Sequence, residues 1–142
     1  MKDLLTIILV AFGYFLHFDM PQTATEQTFN LAIKFNNIQK TDKPIYVALY
    51  RSEKDFNNKK PFKKYTVLPS QKPGLNIQDL PEGTYAILCF QDLNGNHRLD
   101  FNNYIPDEPW GLSNNKMRMG PPTWEDAKFE LKQNLQLEIK LF

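Results

Sequence analysis

The sequence predicts an all-β fold: an antiparallel β-sandwich of about seven strands, immunoglobulin-like or transthyretin-like, with one long ordered loop. Three observations predict it. Segments with an apolar residue at every second position recur along the chain, as in strands that bury one face. Ten prolines stand against six glycines, a balance that disfavours long helices. About 30 residues without alternation follow the most apolar segment, which is unusually long for a loop.

The strand predictions rest on local alternation, and the segment Tyr85–Gln91 is apolar on both faces, so we expect it to be central. The predicted strands are Phe29–Phe35, Pro44–Arg51, Phe62–Leu68, Leu75–Leu80, Tyr85–Gln91, Trp124–Leu131 and Leu135–Leu141. The last of these is expected to tie the end of the chain into a sheet.

The sequence also predicts the structure of two connecting segments. Leu80–Thr84 should be a turn, because Pro81 presets φ and Gly83 adopts conformations that other residues resist. Arg51–Lys64 is polar and basic. We expect a solvated loop or sheet edge there, and a docking patch for an anionic surface is the alternative.

The 142 residues suffice for one domain with a packed core. Residues 1–24 are expected to be a signal peptide, because Leu4–Phe18 is almost entirely apolar yet shorter than a membrane span. A buried N-terminal strand or a retained anchor is the alternative. Residues 25–142 would then be a single β-sandwich domain, exported to the periplasm or outside the cell, with no membrane span after cleavage.

Charge and cysteine content exclude some classes. A net charge of +1 argues against a nucleic-acid-binding protein, which usually carries a strong basic bias. The single cysteine, Cys89, cannot form an internal disulfide. It lies in an apolar run, which favours a packed and unreactive thiol.

One loop has the pattern of a metal site. Asp92, Asn94, Asn96 and Asp100 stand at positions 1, 3, 5 and 9 of an EF-hand-type loop, and the backbone carbonyl of Arg98 stands at position 7. Ca²⁺ takes about six to eight oxygen ligands, and alternate residues of a curled loop can direct theirs inward. The pattern therefore predicts a structural Ca²⁺ site. A metal-free turn rich in Asn and Asp is the alternative.

The EF-hand pattern is incomplete at two positions. His97 stands where an EF-hand has glycine, and Asn103 stands where it has a bidentate glutamate. A further carboxylate would have to come from elsewhere, so we expect Asp107 or Glu108 to fold back as an additional metal ligand.

The rest of the long loop contains two tryptophans, Trp110 and Trp124. Packing against the sandwich is the favoured role for both. Together with Asn114 they could instead form a platform for a sugar or a peptide. Thr123 and Asp126 have the spacing of a capping box, which would start a single helical turn.

The ordered motifs of this region resemble an exported bacterial family, domain of unknown function 2141. The motifs are Gly83-Thr-Tyr-Ala, Asp92 to Asp100, Glu108-Pro-Trp-Gly, Ser113-Asn-Asn and Gly120-Pro-Pro. The resemblance covers most of residues 25–142, and it implies a signal peptide but no established activity. His97, Tyr104 and Leu112 depart from the family pattern, the first two standing where the family tends to have glycine.

We therefore expect a non-enzymatic exported module with a structural Ca²⁺ loop and an unknown protein or glycan partner. The alternative is a carbohydrate- or peptide-binding module that uses Trp110, Asn114 and Trp124. A hydrolase is least favoured, because His97 is the only histidine of residues 25–142 and no Ser-His-Asp or Cys-His set is evident. No residue is assigned a catalytic role.

Overall fold

The computed structural model describes residues 26–117 and 120–142. The expected signal peptide, residues 1–24, lies outside these residues. Within the two described segments, no helix combines the length and apolar character needed to cross a membrane.

The described residues form ten strands and two short helices. The strands are β1 (Thr28–Asn36), β2 (Ile45–Tyr50), β3 (Lys63–Val67), β4 (Gly74–Pro81), β5 (Gly83–Gln91), β6 (Phe101–Asn102), β7 (Ile105–Pro106), β8 (Trp110–Leu112), β9 (Lys128–Leu131) and β10 (Leu135–Lys140). The helices are α1 (Glu53–Asn57) and α2 (Trp124–Ala127).

The strands form two packed sheets and a small ribbon. One sheet has the order β10-β1-β4, and the other has the order β3-β2-β5-β8 with β9 also paired to β5. The ribbon is the pair β6-β7. Buried side chains from both larger sheets form one core, so the predicted all-β sandwich is confirmed. The pairing of β1 with β10 is parallel, whereas the other pairings of the described strands are antiparallel.

Alternation in the sequence matches burial in the structure. In β1 the side chains of Leu31, Ile33 and Phe35 face the core, and in β2 those of Ile45 and Val47 do so. A second cluster lies on the outer face of the five-stranded sheet and contains Tyr50, Phe56, Ala86, Leu112, Trp124 and Ala127. Strand β5 lies between these two clusters, which explains why it is apolar on both faces and confirms that it is central.

The segment Leu80–Thr84 passes from one sheet to the other. Only Glu82 separates the end of β4 from the start of β5. Among the described glycines, positive φ occurs at Gly95 and Gly120 and not at Gly83, so the conformational reason expected for that glycine was wrong. The hydroxyl of Tyr85 donates to the carbonyl of Pro81 at 2.7 Å and holds this crossover.

The basic segment Arg51–Lys64 contains helix α1, which the sequence did not predict. The hydroxyl of Ser52 accepts a hydrogen bond from the amide of Asp55 at 3.1 Å and caps the helix. Phe56 is thereby buried against the second cluster. The segment is therefore only partly a solvated loop.

Helix α2 replaces the first half of the strand predicted for Trp124–Leu131, and β9 begins only at Lys128. The capping box forms as expected: the Thr123 amide donates to the Asp126 carboxylate at 2.9 Å. The strand prediction was thus wrong for Trp124–Ala127, because the capping box starts a helical turn there.

Strand β8 lies inside the segment predicted to be irregular, and it passes close to β10. A Cβ built on Gly111 would lie 2.6 Å from the carbonyl oxygen of Lys140 and 2.8 Å from Cγ2 of Ile139. The amide of Phe142 donates to the carbonyl of Trp110 at 2.9 Å. Glycine at position 111 therefore lets the edge of one sheet meet the edge of the other.

We expect Gly111→Ala to lower the free energy of unfolding by about 2 kcal/mol or more, because the new methyl group meets a backbone carbonyl that cannot move away. Urea denaturation measures the change. Gly83→Ala is the matched control: its Cβ would meet nothing closer than 3.7 Å, an ordinary contact. Equal stability of Gly111→Ala and wild type would contradict the assigned close approach.

Candidate metal-binding loop

Two buried polar residues lie where β5 ends and the next loop begins: Gln91 is the last residue of β5, and Asp92 is the first of the loop. The Gln91 side chain accepts from the amide of Gln39 at 3.0 Å and donates to the carbonyls of Lys40 and Lys43 at 2.6 and 3.2 Å. The amide of Asp92 donates to the carbonyl of Pro44 at 3.0 Å. Sequence reasoning missed the role of Gln91, although an amide side chain at the end of an apolar strand was its signal.

The carboxylate of Asp92 organises the first half of the loop. Its side chain is fully buried. Oδ1 accepts from the amide of Gly95 at 2.7 Å, and Oδ2 accepts from the amide of His97 at 3.0 Å. Two backbone amides, three and five residues further along the chain, thus bond one carboxylate.

The next two predicted ligands repeat this local pattern. The Oδ1 atom of Asn94 accepts from the amide of Asn96 at 3.0 Å, and Oδ1 of Asn96 accepts from the amide of Arg98 at 3.0 Å. The amide nitrogens of both side chains donate to Oδ2 of Asp100, at 2.8 Å for Asn94. The structure therefore brings Asn94, Asn96 and Asp100 together, as the spacing predicted.

His97 resolves one mismatch with the EF-hand pattern. Its φ is +64°, the left-handed conformation that glycine adopts easily and histidine adopts at some cost. The ring lies against Tyr46, with centroids 5.6 Å apart, and Nδ1 is hydrogen-bonded to the Tyr46 hydroxyl. The loop thus keeps the backbone conformation of the glycine position, and the histidine side chain attaches it to β2.

Asn103 stands where an EF-hand has a bidentate glutamate ligand, but here it has a different role. With Tyr104 it forms the two-residue turn between β6 and β7, and both residues have positive φ, +47° and +68°. Tyr104 thereby takes a conformation typical of glycine while remaining 96% exposed.

Of the two carboxylates expected to fold back, Glu108 does so. It is 5% exposed, and its Oε1 atom accepts from the amide of Leu93 at 2.8 Å. Its Oε2 atom is buried and has no hydrogen-bond donor among the described residues. The Asp107 side chain is exposed, although its amide donates to the carbonyl of Asp100 at 3.0 Å.

The donor set of this loop is rich in oxygen and poor in other ligands. Across residues 26–117 and 120–142, no three His, Cys, Asp or Glu side chains are grouped so that they could hold a metal ion by themselves. The oxygen atoms of this region instead lie in two parts. Asp92 and Glu108 bond backbone amides at the start of the loop, and Asp100 lies with the side chains of Asn94 and Asn96. Such a set fits a hard cation such as Ca²⁺ better than a zinc ion, which prefers sulfur and nitrogen.

The pKa of Asp100 is lowered from its ordinary value. The main causes are the hydrogen bonds from the side chains of Asn94 and Asn96, and the nearby charge of Arg98 contributes less. The Arg98 Nε atom lies 3.2 Å from Oδ1 of Asp100. The loop therefore stabilises a negative charge at its centre.

The residues of the predicted aromatic platform are mostly engaged in packing. Trp124 is 8% exposed and meets the ring of Phe56 at a centroid distance of 6.1 Å. Trp110 is half-buried against the same cluster. The side-chain amide of Asn114 donates to the carbonyl of Lys128 at 2.8 Å. These three residues do not converge on a common open surface.

The Ser113-Asn-Asn motif joins three elements. The hydroxyl of Ser113 accepts from the amide of Ile87 at 3.1 Å and donates to the carbonyl of Ala127. The side chain of Asn115 bonds the carbonyl of Glu138 and the amide of Lys140, both at 2.7 Å. The motif therefore connects β5, α2 and β10, a structural role that the sequence alone did not reveal.

Cys89 lies fully buried in β5. Burial raises the pKa of its thiol to about 12, so the reactive thiolate is scarce at neutral pH. The packed, unreactive thiol predicted from the sequence fits this environment.

The fold and the loop together define a β-sandwich domain with an Asp- and Asn-rich loop at the end of its central strand. The chain belongs to the bacterial family described as "Uncharacterized protein conserved in bacteria" (DUF2141), whose family model matches residues 33–139. The resemblance to domain of unknown function 2141 is thus confirmed. No curated protein and no solved structure matches the chain.

The lowered pKa of Asp100 predicts how acid affects the loop. A carboxyl group whose pKa falls on folding contributes stability above its unfolded pKa, about 3.9, and this contribution is lost as the pH falls through the lower folded value. Asp100→Asn should therefore melt below wild type at neutral pH, and the two melting temperatures should converge in acid. Thermal melts between about pH 7 and pH 2 measure this.

Asp42→Asn is the control for this series, because Asp42 is exposed in the connection between β1 and β2. It should melt like wild type at neutral pH. A constant gap between Asp100→Asn and wild type at every pH would show that the carboxylate charge does not stabilise the loop.

Proposed function

We propose that this protein is an exported, non-enzymatic β-sandwich module of the periplasm or cell surface, whose loop Asp92–Asp100 binds a structural Ca²⁺ ion. The observation that carries the proposal is the buried Oε2 atom of Glu108, which has no donor within the described part of the chain. Burying a carboxylate oxygen without a partner is costly, so this atom favours a cation beside it.

Glu108 and Asp92 approach the same piece of backbone. Glu108 binds the amide of Leu93, and Asp92 binds the amides of Gly95 and His97. Two largely buried carboxylates on one short segment repel each other unless positive charge compensates them. A divalent cation would turn this repulsion into attraction.

The proposed ligands number about six, the lower end of the range for Ca²⁺. They are the side-chain oxygens of Asp92, Asn94, Asn96, Asp100 and Glu108 and the backbone carbonyl of Arg98. Each amide oxygen has a second lone pair besides the one that accepts a backbone N–H. The ion would replace the hydrogen bonds that the side-chain amides of Asn94 and Asn96 donate to Asp100, and it would order the loop without taking part in chemistry.

A non-enzymatic role agrees with the surroundings of His97. Its ring is bound to the hydroxyl of Tyr46, and a hydrolytic triad would need that ring beside a nucleophile. Export is supported by the apolar segment Leu4–Phe18. The alternative module based on Trp110, Asn114 and Trp124 is less favoured, because two of these side chains pack on the sandwich and the third bonds β9.

Ca²⁺ should raise the melting temperature of the protein. With a dissociation constant of about 0.1 mM, as in extracellular modules, about 1 mM Ca²⁺ would add about 1.4 kcal/mol. For a domain of this size the midpoint would rise by about 5 °C. Thermal melts with Ca²⁺ and with a chelator measure the shift, and identical curves would contradict the proposed site.

Two substitutions at neighbouring positions test whether Glu108 is a ligand of the proposed ion. Glu108→Gln should abolish most of the Ca²⁺-induced shift while leaving the chelated protein as stable as wild type or more so, because a buried charge is removed. Asp107→Asn is the matched control, since that side chain is exposed, and it should keep the full shift. Loss of the shift in Asp107→Asn but not in Glu108→Gln would contradict the assignment.

A further inference from the structure

A groove of about 570 Å³ lies on the outer face of the five-stranded sheet, beside the proposed metal loop. Strands β2, β3 and β5 form its floor, the residues after α1 form one wall, and His97 and Arg98 of the loop form another. The groove borders the second cluster of buried residues: Tyr50 belongs to both, and Ala48 and Leu88 line the groove and pack against the cluster. The proposed Ca²⁺ site leaves this surface without a role.

The floor of the groove is apolar and aromatic. Tyr46 and Phe90 are directly opposite each other in the β2–β5 pairing, with ring centroids 5.4 Å apart. Leu88 continues the floor along β5. All three side chains are only half-buried, so their surfaces are open to a ligand. Aromatic rings exposed in this way bind flat apolar faces.

The rim of the groove is cationic. Lys59, Lys64 and Arg98 line it, and none of its lining residues is Asp or Glu. Within the described residues, Lys59 and Lys64 have no carboxylate at ion-pair distance, whereas Arg98 is paired with Asp100. Lys59 has φ +54°, and its amide donates to the carbonyl of Phe56 at 3.1 Å, so the end of α1 holds its backbone.

We propose that this groove binds an acidic saccharide. The C–H face of a sugar ring would stack on Tyr46 and Phe90, and a carboxylate or sulfate group would meet Lys59 and Lys64. The lining therefore complements a ligand that has a flat apolar face beside a negative charge. The volume of the groove suits two or three sugar rings rather than a globular partner.

The position of the groove disfavours an extended peptide. A peptide that adds a strand pairs along a free sheet edge, such as the outer side of β3 in this sheet. The groove instead lies over the face of the sheet, where β2 is already paired with both β3 and β5. The inference deepens the proposed function, because it rests on the chain being a binding module. It does not require the ion, since the floor and both lysines lie outside the loop Asp92–Asp100.

The test is a titration of the protein with tri-galacturonic acid, measured by calorimetry at low and at physiological salt. A chelator is present throughout, so that Ca²⁺ cannot bridge the sugar and the protein. Saturable binding that weakens with salt is expected, because the contacts to the rim are ionic. Maltotriose, a neutral trisaccharide, should bind at least about tenfold more weakly.

Substitutions locate the binding surface. Lys64→Gln should weaken binding by about tenfold, because one charged contact is lost. Tyr46→Leu should weaken it as much while keeping an apolar side chain in the sheet. Lys72→Gln is the matched control, since Lys72 is exposed in the connection between β3 and β4, away from the groove, and should bind like wild type.

Three results would overturn the inference. They are equal binding of maltotriose, no binding of the acidic trisaccharide, and unchanged binding in Lys64→Gln. Binding of a glutamate-rich peptide but not of the saccharide would also overturn it and assign the groove to acidic peptides. The protein could bind the saccharide in chelator and yet have a melting temperature that does not change with Ca²⁺. That result would support the saccharide groove and contradict only the proposed metal site.

Discussion

The burial of Gln91 and Asp92, two adjacent polar residues at the end of β5, fixes the connection between β1 and β2 and the start of the loop Asp92–Asp100. Gln91 bonds the β1–β2 connection from inside the sandwich, and Asp92 collects the first amides of the next loop. Neither side chain can reach water, so each must find its partners within the protein, and few chain paths supply them. The shape of the loop therefore follows from polar groups that the core cannot leave unsatisfied.

Electrostatics link the loop to the groove beside it. Asp92 and Glu108 are buried, and Asp100 is bonded by the side chains of Asn94 and Asn96. His97 and Arg98 line the neighbouring groove, which has no acidic residue, and Arg98 is also ion-paired with Asp100. A cation within the loop and an anionic ligand outside it are thus compatible. The contact between His97 and Tyr46 is the physical connection between the two, because it joins the backbone of the loop to the floor of the groove.

Of the departures from the family pattern, the one at His97 has a structural explanation. His97 and Tyr104 both occupy left-handed backbone positions, where glycine would be relaxed. His97 offsets the conformational cost with its contact to Tyr46, whereas Tyr104 is almost fully exposed at the tip of the β6–β7 ribbon. The structure gives no reason for tyrosine at that tip.

The sequence by itself determined the all-β class, the central place of β5 and the convergence of Asn94, Asn96 and Asp100, because alternation and Asx spacing act over a few neighbouring residues. It did not determine the parallel pairing of β1 with β10, the insertion of β8 or the choice of Glu108 over Asp107. These depend on which distant segments meet, and short-range patterns carry no record of that. Only the packed sandwich brings Gly111 against Lys140 and turns Glu108 inward, because long-range burial decides which polar groups face the core.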